Sequence, residues 1–286
     1  MKENKSQIDI RHLHRLELVM LDEVNRICKD FSIPYFAIGG TALGAVRHSG
    51  FIPWDDDLDI GMLRENYDKF LRICEKELGS KFFLQTPETE SNTPYYFAKL
   101  RLNGTLFEEE YTKHLAINHG IFIDIFPYDN IPDDPILRFV QFIKVKYWNN
   151  LLISKRTLGL SHTFRGPKYI LAKSIRYVCR VIASHYSVDQ IVNKLDKECT
   201  WFNDKETEYV CFVKLPFVRM KRTWVSSLEY RDFEDRRILC SNKVELYLRS
   251  QFGDYMMLPP KEKQVAHLPE VVDLGNLEDV NIFPYD

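Results

Sequence analysis

The sequence WDDDLDIGM, which places four aspartates within five positions, constrains this chain more than any other stretch. If a strand runs through LDIGM, its two-residue period puts Asp57 and Asp59 on one face and apolar side chains on the other. Asp55 shares the parity of this pair, whereas Asp56 has the opposite parity. Carboxylates roughly 5 Å apart repel each other by about 1 kcal/mol in water and by several times more in a protein. The stretch therefore predicts a bound divalent cation with oxygen ligands.

A glycine pair lies upstream of the aspartates and follows a short apolar run, residues 35–38, whose pattern predicts a strand. Gly39 and Gly40 allow a tight turn or a close approach of the backbone to a ligand. Thr41 is a favourable N-cap for a short helix that runs through Arg47. A strand, a glycine turn and a helix N-terminus can together form a phosphate-binding site. A glycine pair before a helix is, however, more often a plain turn. The nearby aspartates favour the phosphate-binding site.

The composition is that of a soluble globular protein, with 45% hydrophobic and 28% charged residues in a chain of 286. That length allows one large domain or two small ones. The six cysteines are scattered without a CxxC motif, which disfavours a zinc site and indicates a reducing compartment. The first residues lack the apolar core of a secretory signal, and no window reaches about 18 apolar residues. We therefore expect a cytoplasmic protein.

Local patterns predict both helices and strands. Residues 9–31 carry one apolar stripe at spacings of three and four, which is typical of an amphipathic helix. Residues 95–102 and 105–111 flank Asn103-Gly104, a strong signal for a β-hairpin.

Two cations, Lys99 and Arg101, share one face of the first strand of this predicted hairpin. Together they could bind a phosphate group. The alternative is a solvated face, or ion pairs with the acids at positions 108–110.

A carboxylate, Asp124, interrupts the apolar run GIFIDIFP at residues 120–127. Burying a carboxylate among Ile and Phe is costly unless it is paired, hydrogen-bonded or bound to a metal. One interpretation is a strand with one buried and one solvent-exposed face, with Asp124 on the exposed face. The favoured interpretation is a third acid that joins Asp57 and Asp59 from a neighbouring strand.

The stretch from residue 135 to residue 188 has no Asp or Glu, and it contains two helical patterns separated by residues 159–167. Its ten cations are Arg138, Lys144, Lys146, Lys155, Arg156, Arg165, Lys168, Lys173, Arg176 and Arg180. A basic amphipathic insert favours an anionic partner, such as membrane headgroups or a phosphate-rich polymer. The alternative is a helical subdomain whose positive face balances acids elsewhere. Nucleic acid is disfavoured, because the net charge is -2 and no nucleic-acid motif is present.

Five segments in order carry a family resemblance: GGTALGAVRHSGFIPWDDDLDIGM, AKLRLNGT, GIFIDIFPYDNIP, FEDRR and FGDYMMLPPKEKQVAH. They resemble the LicD family, whose best-known members are phosphocholine transferases of bacterial surface polymers. Fukutin and fukutin-related protein belong to the same wider group, which resembles the polymerase-β nucleotidyltransferase superfamily. The resemblance implies an α+β fold, a nucleotidyltransferase-like mixed sheet flanked by helices. It implies a catalytic core over residues 1–134, a basic helical insert over 135–205, and a segment over 206–286 that completes the catalytic domain.

The superfamily pattern has a glycine pair on a strand-to-helix turn, Asp-x-Asp on the next strand and a third carboxylate later. In this sequence the pattern falls on five residues: Gly39, Gly40, Asp57, Asp59 and Asp124. Asp55 and Asp56 then fall in the family's Trp-Asp-Asp-Asp run, as additional or supporting ligands. The zinc-binding cysteines of fukutin-related protein have no counterpart here, which favours the bacterial branch.

The resemblance implies transfer of a phospho-alcohol from a CDP-activated donor, with CDP-choline in the first place, and release of CMP. The acceptor would be a hydroxyl of a cell-surface glycan or teichoic acid precursor. Magnesium, or manganese, held by Asp57, Asp59 and Asp124 would neutralise phosphate oxygens. Donor binding would fall to six residues: Gly39, Gly40, Thr41, Arg47, Lys99 and Arg101. The basic insert would contact an anionic membrane at its inner face, or a lipid-linked acceptor.

Two other hypotheses stay open at this point. One is nucleotidyl transfer, in which the α-phosphate of a nucleoside triphosphate is attacked and pyrophosphate leaves. The other is a catalytically silent scaffold that docks on anionic membranes through residues 135–188. Four aromatic residues could enclose a quaternary ammonium group: Trp54, Tyr95, Tyr96 and Tyr128. His267, in the proline-bounded tail, is expected to be structural.

Overall fold

The computed structural model describes residues 3–4, 10–157, 167–214, 219–265, 269 and 271–275, so that Arg165 and His267 lie outside the described residues. The described helices are α1 (Ile10–Asp30), α2 (Gly39–Arg47), α3 (Arg64–Glu77), α4 (Pro135–Arg156), α5 (Pro167–Ala183), α6 (Val188–Cys199), α7 (Arg222–Val225) and α8 (Val244–Phe252). The described strands are β1 (Glu3–Asn4), β2 (Phe36–Ala37), β3 (Asp59–Leu63), β4 (Phe82–Gln85), β5 (Ala98–Leu102), β6 (Leu106–Glu108), β7 (Phe122–Ile131), β8 (Tyr209–Cys211), β9 (Met220–Lys221), β10 (Leu228–Phe233), β11 (Arg236–Ser241) and β12 (Val271–Asp273).

The first helix, α1, is amphipathic, as its apolar spacing predicts. The predicted stripe from Leu13 to Ile27 is buried, and Phe31 falls in the turn after the helix. The buried side packs toward α3, β5 and β7. Glu17 follows Leu13 by four positions and is therefore carried into the interior on the same face.

A mixed sheet forms the centre of the fold, in the strand order β2-β3-β7-β5-β4. β3 and β7 run parallel, whereas the pairs β2–β3, β5–β7 and β4–β5 are antiparallel. The end of β7 also pairs with β8, which in turn pairs with β9. Helices α1 and α3 pack against β7. The predicted α+β mixed sheet flanked by helices is confirmed, and its kinship with the nucleotidyltransferase superfamily stays a prediction.

The hairpin predicted around Asn103-Gly104 is wrong in its strand pairing. Gly104, with φ of +80°, does turn the chain after β5. Both edges of β5 are already occupied, by β4 on one side and by β7 on the other. β6 therefore leaves the central sheet and pairs with β12, which also pairs with β1. The local signal locates a turn, but it carries no information on whether the preceding strand is an inner strand.

Helices α4, α5 and α6 lie within the predicted basic insert, and α4 packs against the other two. α4 begins at Pro135, and the Asp134 carboxylate caps it by accepting from two backbone amides at 2.8 and 2.9 Å. α6 begins with a capping box between Ser187 and Gln190. None of the described helices is long and apolar enough to cross a membrane. The division of the chain after residues 134 and 205 stays a prediction.

A buried ion pair fastens the start of α3 to β7. Arg64 donates to both carboxylate oxygens of Asp129 at 2.7 Å, and the Asp129 side chain is 1% exposed. Asn203 donates to the same carboxylate at 2.7 Å, and the Tyr96 hydroxyl accepts from Arg64 at 3.1 Å. Bidentate pairs of this kind are strong, and a buried carboxylate left without its cation is costly. The pair joins α3 to the central sheet, and Asn203 adds the segment that follows α6.

Replacing Arg64 by Met should lower the free energy of unfolding by about 3 to 5 kcal/mol, because Asp129 would stay buried without its cation. Urea unfolding at neutral pH, followed by circular dichroism, measures this loss. Arg231→Met is the matched control, since its ion pairs with Glu229 and Glu245 are more exposed and should contribute about 1 kcal/mol or less. Equal losses in the two variants would contradict the role given to the buried pair.

Candidate active site

Two acidic residues, Asp59 and Asp124, lie directly opposite each other on the parallel strands β3 and β7. The Asp124 amide donates to the Leu58 carbonyl at 2.9 Å, which fixes this register. Asp57 lies near enough for its charge to raise the pKa of Asp59. The position predicted for Asp124, on a strand beside the Asp-x-Asp pair, is therefore confirmed.

The strand that carries Asp59 begins later than the sequence predicts. β3 starts at Asp59, and Asp55, Asp56 and Asp57 lie in the loop before it. The two-residue period of a strand therefore cannot rank the first three acids, and the common face predicted for Asp57 and Asp59 stays a prediction. The two carboxylates do interact, because the charge of Asp57 raises the pKa of Asp59.

The carboxylates of this cluster are destabilised as anions. Burial raises the pKa of Asp59 well above its usual range, and repulsion from Asp57 and Asp124 raises it further. Burial raises the pKa of Asp124 to about 6, against the opposing effect of the Lys99 ammonium. Burial and the neighbouring aspartates raise the pKa of Asp55 to about 7. A cation bound among these groups would relieve the repulsion.

The glycine pair makes room for two of the carboxylates at the start of α2. The helix begins at Gly39, whose φ of +54° is a backbone conformation that favours glycine. A Cβ on Gly39 would lie 3.4 Å from Asp59 Oδ2, and a Cβ on Gly40 would collide with the Asp55 carboxylate. The positive end of the helix dipole therefore lies next to anionic side chains, which it stabilises.

Thr41 lies inside α2, so the prediction that it caps the helix is wrong. The N-cap is Ile38, which makes no side-chain cap hydrogen bond. The Thr41 hydroxyl instead accepts a hydrogen bond from the Asp59 amide at 2.7 Å and so ties β3 to the helix. The Gly39 amide donates to the Tyr247 hydroxyl of α8 at 2.9 Å. The glycine turn thus positions the acids, and its role in binding phosphate stays a prediction.

The two cations of β5 are buried, and they have different partners. Lys99 is 2% exposed, and its Nζ donates to Asp124 Oδ1 at 2.7 Å while lying 3.4 Å from the centre of the Phe122 ring. Arg101 is 1% exposed and donates to Gln85 Oε1 at 3.0 and 2.8 Å and to a backbone carbonyl at 2.7 Å. The alternative of a solvated face is therefore wrong. Lys99 therefore lies beside the acids, whereas Arg101 is hydrogen-bonded to Gln85 and to a backbone carbonyl.

Arg47 lies at the far end of α2 from the glycine turn. At about 1.5 Å of rise per residue, the eight steps from Gly39 put it roughly 12 Å along the helix axis. Its Nε donates to His48 Nε2 at 3.0 Å, and a terminal N–H donates to the Tyr255 carbonyl at 3.0 Å. The structure therefore does not bring Arg47 to the acids, and its phosphate-binding role stays a prediction.

The four aromatic residues suggested for a quaternary ammonium group lie in separate surroundings. The Tyr95 hydroxyl donates to Glu109 at 2.6 Å, and the Tyr96 hydroxyl donates to Asp196 at 2.6 Å. Tyr128 packs edge-on against Phe36, and Trp54 packs edge-on against His48. These contacts tie each ring to a different part of the protein. Aromatic content alone could not show which rings converge.

Glu234, in the FEDRR segment, is a positioning residue that no sequence pattern singled out. It lies at the turn between β10 and β11, with φ of +56°. Its Oε1 accepts from the Phe51 amide at 3.0 Å, and its own amide donates to the Ser49 carbonyl at 2.7 Å. A Cβ on Gly50 would collide with its carboxylate. Glu234 therefore fixes the loop that leads into the aspartates. The sequence signal for this role was that Glu234 lies in a segment that carries the family resemblance.

Lys214, after β8, is a second cation of the site that no sequence pattern singled out. Burial and the charge of Lys99 lower the pKa of Lys214 to about 8, while Asp124 opposes the shift. Its Nζ lies 5.8 Å from the centre of the Phe97 ring. Lys214 follows β8 in a loop and so belongs to no periodic pattern. The pairing of β8 with the end of β7 places Lys214 where the charge of Asp124 acts on it.

Glu17 is a buried acid next to the same cluster. Both of its carboxylate oxygens are buried, and neither has a hydrogen-bond partner among the residues that the structure describes. Burial raises the pKa of Glu17 well above its usual range, and the charges of Asp57, Asp56, Asp55 and Asp59 raise it further. A glutamate four positions after Leu13, inside an apolar stripe, was the sequence signal for it.

The donor chemistry of these residues fits a hard divalent cation. Asp57, Asp59 and Asp124 offer carboxylate oxygens, which Mg²⁺ and Mn²⁺ prefer, together with a mutual repulsion that a cation relieves. Across the residues that the structure describes, no three His, Cys, Asp or Glu side chains are gathered as a ready metal site. Lys99 binds one oxygen of Asp124 instead. The set of three ligands therefore stays a prediction.

Replacing Glu17 by Gln should stabilise the protein at neutral pH, by on the order of 1 kcal/mol or more. The folded state raises the pKa of Glu17, so its contribution to stability is fully present below the usual pKa of 4.5. That contribution is lost as the pH rises toward the folded value, because the unfolded chain releases the proton there while the folded protein keeps the carboxyl protonated. The gain should be small at pH 4.5 and larger at pH 7.5, as measured by thermal unfolding with a chelator present.

Glu75→Gln, at an exposed position of α3, is the control for this prediction. It should leave the unfolding temperature nearly unchanged at both pH values. A gain in Glu17→Gln that is absent, or equal at the two pH values, would show that Glu17 is not held protonated by the fold.

Comparisons with known proteins find relatives of this chain. Residues 32–151 match the sequence model of the LicD/FKTN/FKRP nucleotidyltransferase domain. The lipopolysaccharide cholinephosphotransferase LicD of Haemophilus influenzae is 26% identical over 270 residues, which are 91% of this chain and 96% of that protein. An uncharacterized protein of Rickettsia typhi is 32% identical over 114 residues, 39% of this chain and 35% of that protein.

A more distant relative comes from a mammal. The ribitol 5-phosphate transferase FKRP of Mus musculus is 27% identical over 96 residues, 34% of this chain and 17% of that protein. The matched residues 32–151 include the glycine turn and the acids Asp57, Asp59 and Asp124. Residues 32–151 therefore resemble the nucleotidyltransferase domain of the LicD/FKTN/FKRP family.

Proposed function

We propose that this chain is a metal-dependent transferase that moves phosphocholine, or a related phospho-alcohol, from a CDP-activated donor to a hydroxyl of a glycan. CDP-choline is the proposed donor, and a bacterial cell-surface glycan or teichoic acid precursor is the proposed acceptor. Two relatives support the reaction class, since one is named a lipopolysaccharide cholinephosphotransferase and the other a ribitol 5-phosphate transferase. The cytoplasm is the proposed place of the reaction.

One observation carries the proposal: Asp59 and Asp124 oppose each other on parallel strands, with Asp57 beside them, inside the matched domain. Phosphoryl transfer asks the protein mainly to position the reactants and to neutralise charge. Buried carboxylates that repel one another lower the stability of a core, and they suit a site that takes up a cation together with a phosphate group.

The residues divide into three roles. Asp57, Asp59 and Asp124 would hold the divalent cation, which when bound would neutralise phosphate oxygens of the donor. Lys99 and Lys214, both close to Asp124, would bind the donor phosphates through their ammonium groups. Asp124 is also the candidate acceptor of the hydroxyl proton, although a cation bound to its carboxylate would lower its pKa and make it a weaker base.

Nucleotidyl transfer is the second candidate, because the matched family description names a nucleotidyltransferase domain. Both reactions would use the same acids, so the products decide between them. Release of CMP from CDP-choline, with phosphocholine gained by the acceptor, supports the proposed transferase. Release of pyrophosphate from CTP or ATP supports nucleotidyl transfer. Turnover of neither substrate, with Mg²⁺ and acceptor present, would favour the scaffold hypothesis.

Asp59→Asn should reduce the release of CMP about a hundredfold or more, because a buried charge beside the reacting phosphate would be lost. The fold should persist, since the substitution removes a carboxylate whose charged form is destabilised by burial. Initial rates with CDP-choline and Mg²⁺ measure the first effect, and thermal unfolding measures the second. Asp204→Asn, at an exposed position, is the matched control and should keep wild-type rates. Undiminished rates in Asp59→Asn would refute the assigned site.

Lys214→Met should lower kcat/KM for the donor roughly tenfold, because one ammonium group would no longer reach the phosphates. The unfolding temperature should not fall, since burial already disfavours the charged form of Lys214. Lys194→Met, at an exposed position of α6, is the control. Steady-state kinetics at several donor concentrations separate the two variants. A loss of activity that accompanies a loss of stability would instead give Lys214 a structural role.

A further inference from the structure

The outward face of α5 is apolar. Six of its side chains are between 47% and 69% exposed: Ile170, Leu171, Ile175, Tyr177, Val178 and Val181. At about 100° per residue they fall within roughly half of the helix circumference, so they share one broad side of the helix. Arg176, Cys179 and Ala183, on the opposite side, are shielded from solvent to a greater degree. Ser174 falls within the apolar face, and its hydroxyl is already bonded to the Ile170 carbonyl at 3.0 Å.

The neighbouring helix α4 carries a second outward apolar stripe. Six of its large apolar side chains are between 37% and 72% exposed: Ile136, Leu137, Phe139, Val140, Ile143 and Tyr147. The opposite side of α4 holds Gln141, Val145 and Leu152, which are buried. Gln141 donates to the Cys199 carbonyl at 3.2 Å, so this inner side faces α6. The exposed stripe thus lies on the side of α4 turned away from its packing partner.

Exposed apolar residues are concentrated on these two helices. Among the described residues, twelve of the twenty-one exposed large hydrophobic side chains lie on α4 and α5. Scattered apolar residues are normal on a protein surface, whereas large contiguous apolar faces mark binding sites for proteins or membranes. We therefore expect the exposed apolar faces of α4 and α5 to bind a partner.

The charges around the two faces are suited to an anionic partner, but fewer cations are available than the sequence suggests. Lys155 donates to the carbonyls of Ala183 and Tyr186 at 3.0 and 2.6 Å, and Arg180 donates to those of Ser154 and Thr157 at 3.2 and 2.9 Å. These cations hold α4 and α5 together.

Other cations of the insert remain at the surface. Lys173 of α5 is exposed, and Lys146 of α4 contacts the Phe142 ring. No acidic residue occurs from position 135 to position 188, so nothing within this stretch repels an anionic surface. Apolar contact therefore contributes most of the attraction to a partner, and the cations add a preference for negative charge.

We propose that the outward faces of α5 and α4 bind the surface of a lipid bilayer that contains anionic headgroups. The helices would lie along the bilayer with their apolar side chains among the headgroups, since neither is long and apolar enough to cross it. A lipid surface is favoured over a protein partner, because the outward face of α5 is mainly apolar and the stretch from position 135 to position 188 has no acidic residue. This binding does not depend on the proposed function, because it uses none of the acids of the site.

The test is sedimentation of the full chain with vesicles of phosphatidylglycerol and phosphatidylcholine. Wild type should sediment with these vesicles and less with phosphatidylcholine alone. Ile175→Ser combined with Val178→Ser should weaken binding about tenfold or more, because two apolar side chains would no longer enter the bilayer. Leu246→Ser combined with Phe252→Ser is the matched control, since these α8 residues are 48% and 46% exposed against 52% and 55% for the α5 pair.

The two double variants should have the same circular dichroism spectrum as wild type, because all four positions are exposed. Wild type that stays in the supernatant, or an α5 variant that binds vesicles as tightly as the control, would overturn the proposal. Sedimentation velocity without vesicles gives the remaining outcome. A wild-type dimer that the α5 substitutions convert to a monomer would assign the face to a second copy of the chain, and the lipid proposal would be abandoned.

Discussion

Repulsion among buried carboxylates is the constraint on which the rest of this structure depends. Asp59 and Asp124 oppose each other on parallel strands, Asp57 adds its charge from the preceding loop, and Glu17 comes close from α1. Burial raises the pKa of Asp59, Asp124 and Glu17, so these carboxyls are less stable as anions here than in water. A fold keeps such a group together when its function requires the charge, and binding of a divalent cation with a phosphate donor is the function that fits best.

Parts of the chain far from the acids in sequence hold them in place. The Thr41 hydroxyl accepts a hydrogen bond from the Asp59 amide, and the Tyr247 hydroxyl of α8 accepts one from the Gly39 amide. Glu234, in the turn between β10 and β11, accepts one from a backbone amide of the loop before the aspartates. This explains why the family resemblance continues into segments that carry no acid of the site. The C-terminal part of the chain supports the geometry of the N-terminal part.

Features that depend on residue spacing or on the cost of burying a charge could be predicted from the sequence. Features that depend on long-range packing could not. The apolar stripe of α1 and the position of Asp124 beside Asp59 followed from spacing and from the cost of a carboxylate among Ile and Phe. The pairing of β6 did not, because a local turn signal is blind to the strands that already flank β5. The burial of Arg101 and the approach of Lys214 likewise depend on sheet order, which one sequence does not display.

The most direct test of the central claim is a crystal structure with Mn²⁺ and CDP-choline, with the metal located by its anomalous scattering. The account predicts a metal peak bonded to Asp59 and to at least one of Asp57 and Asp124, with donor phosphate oxygens completing its shell and Lys99 and Lys214 at hydrogen-bonding distance. A donor bound elsewhere, or a metal that contacts none of these three carboxylates, would contradict it.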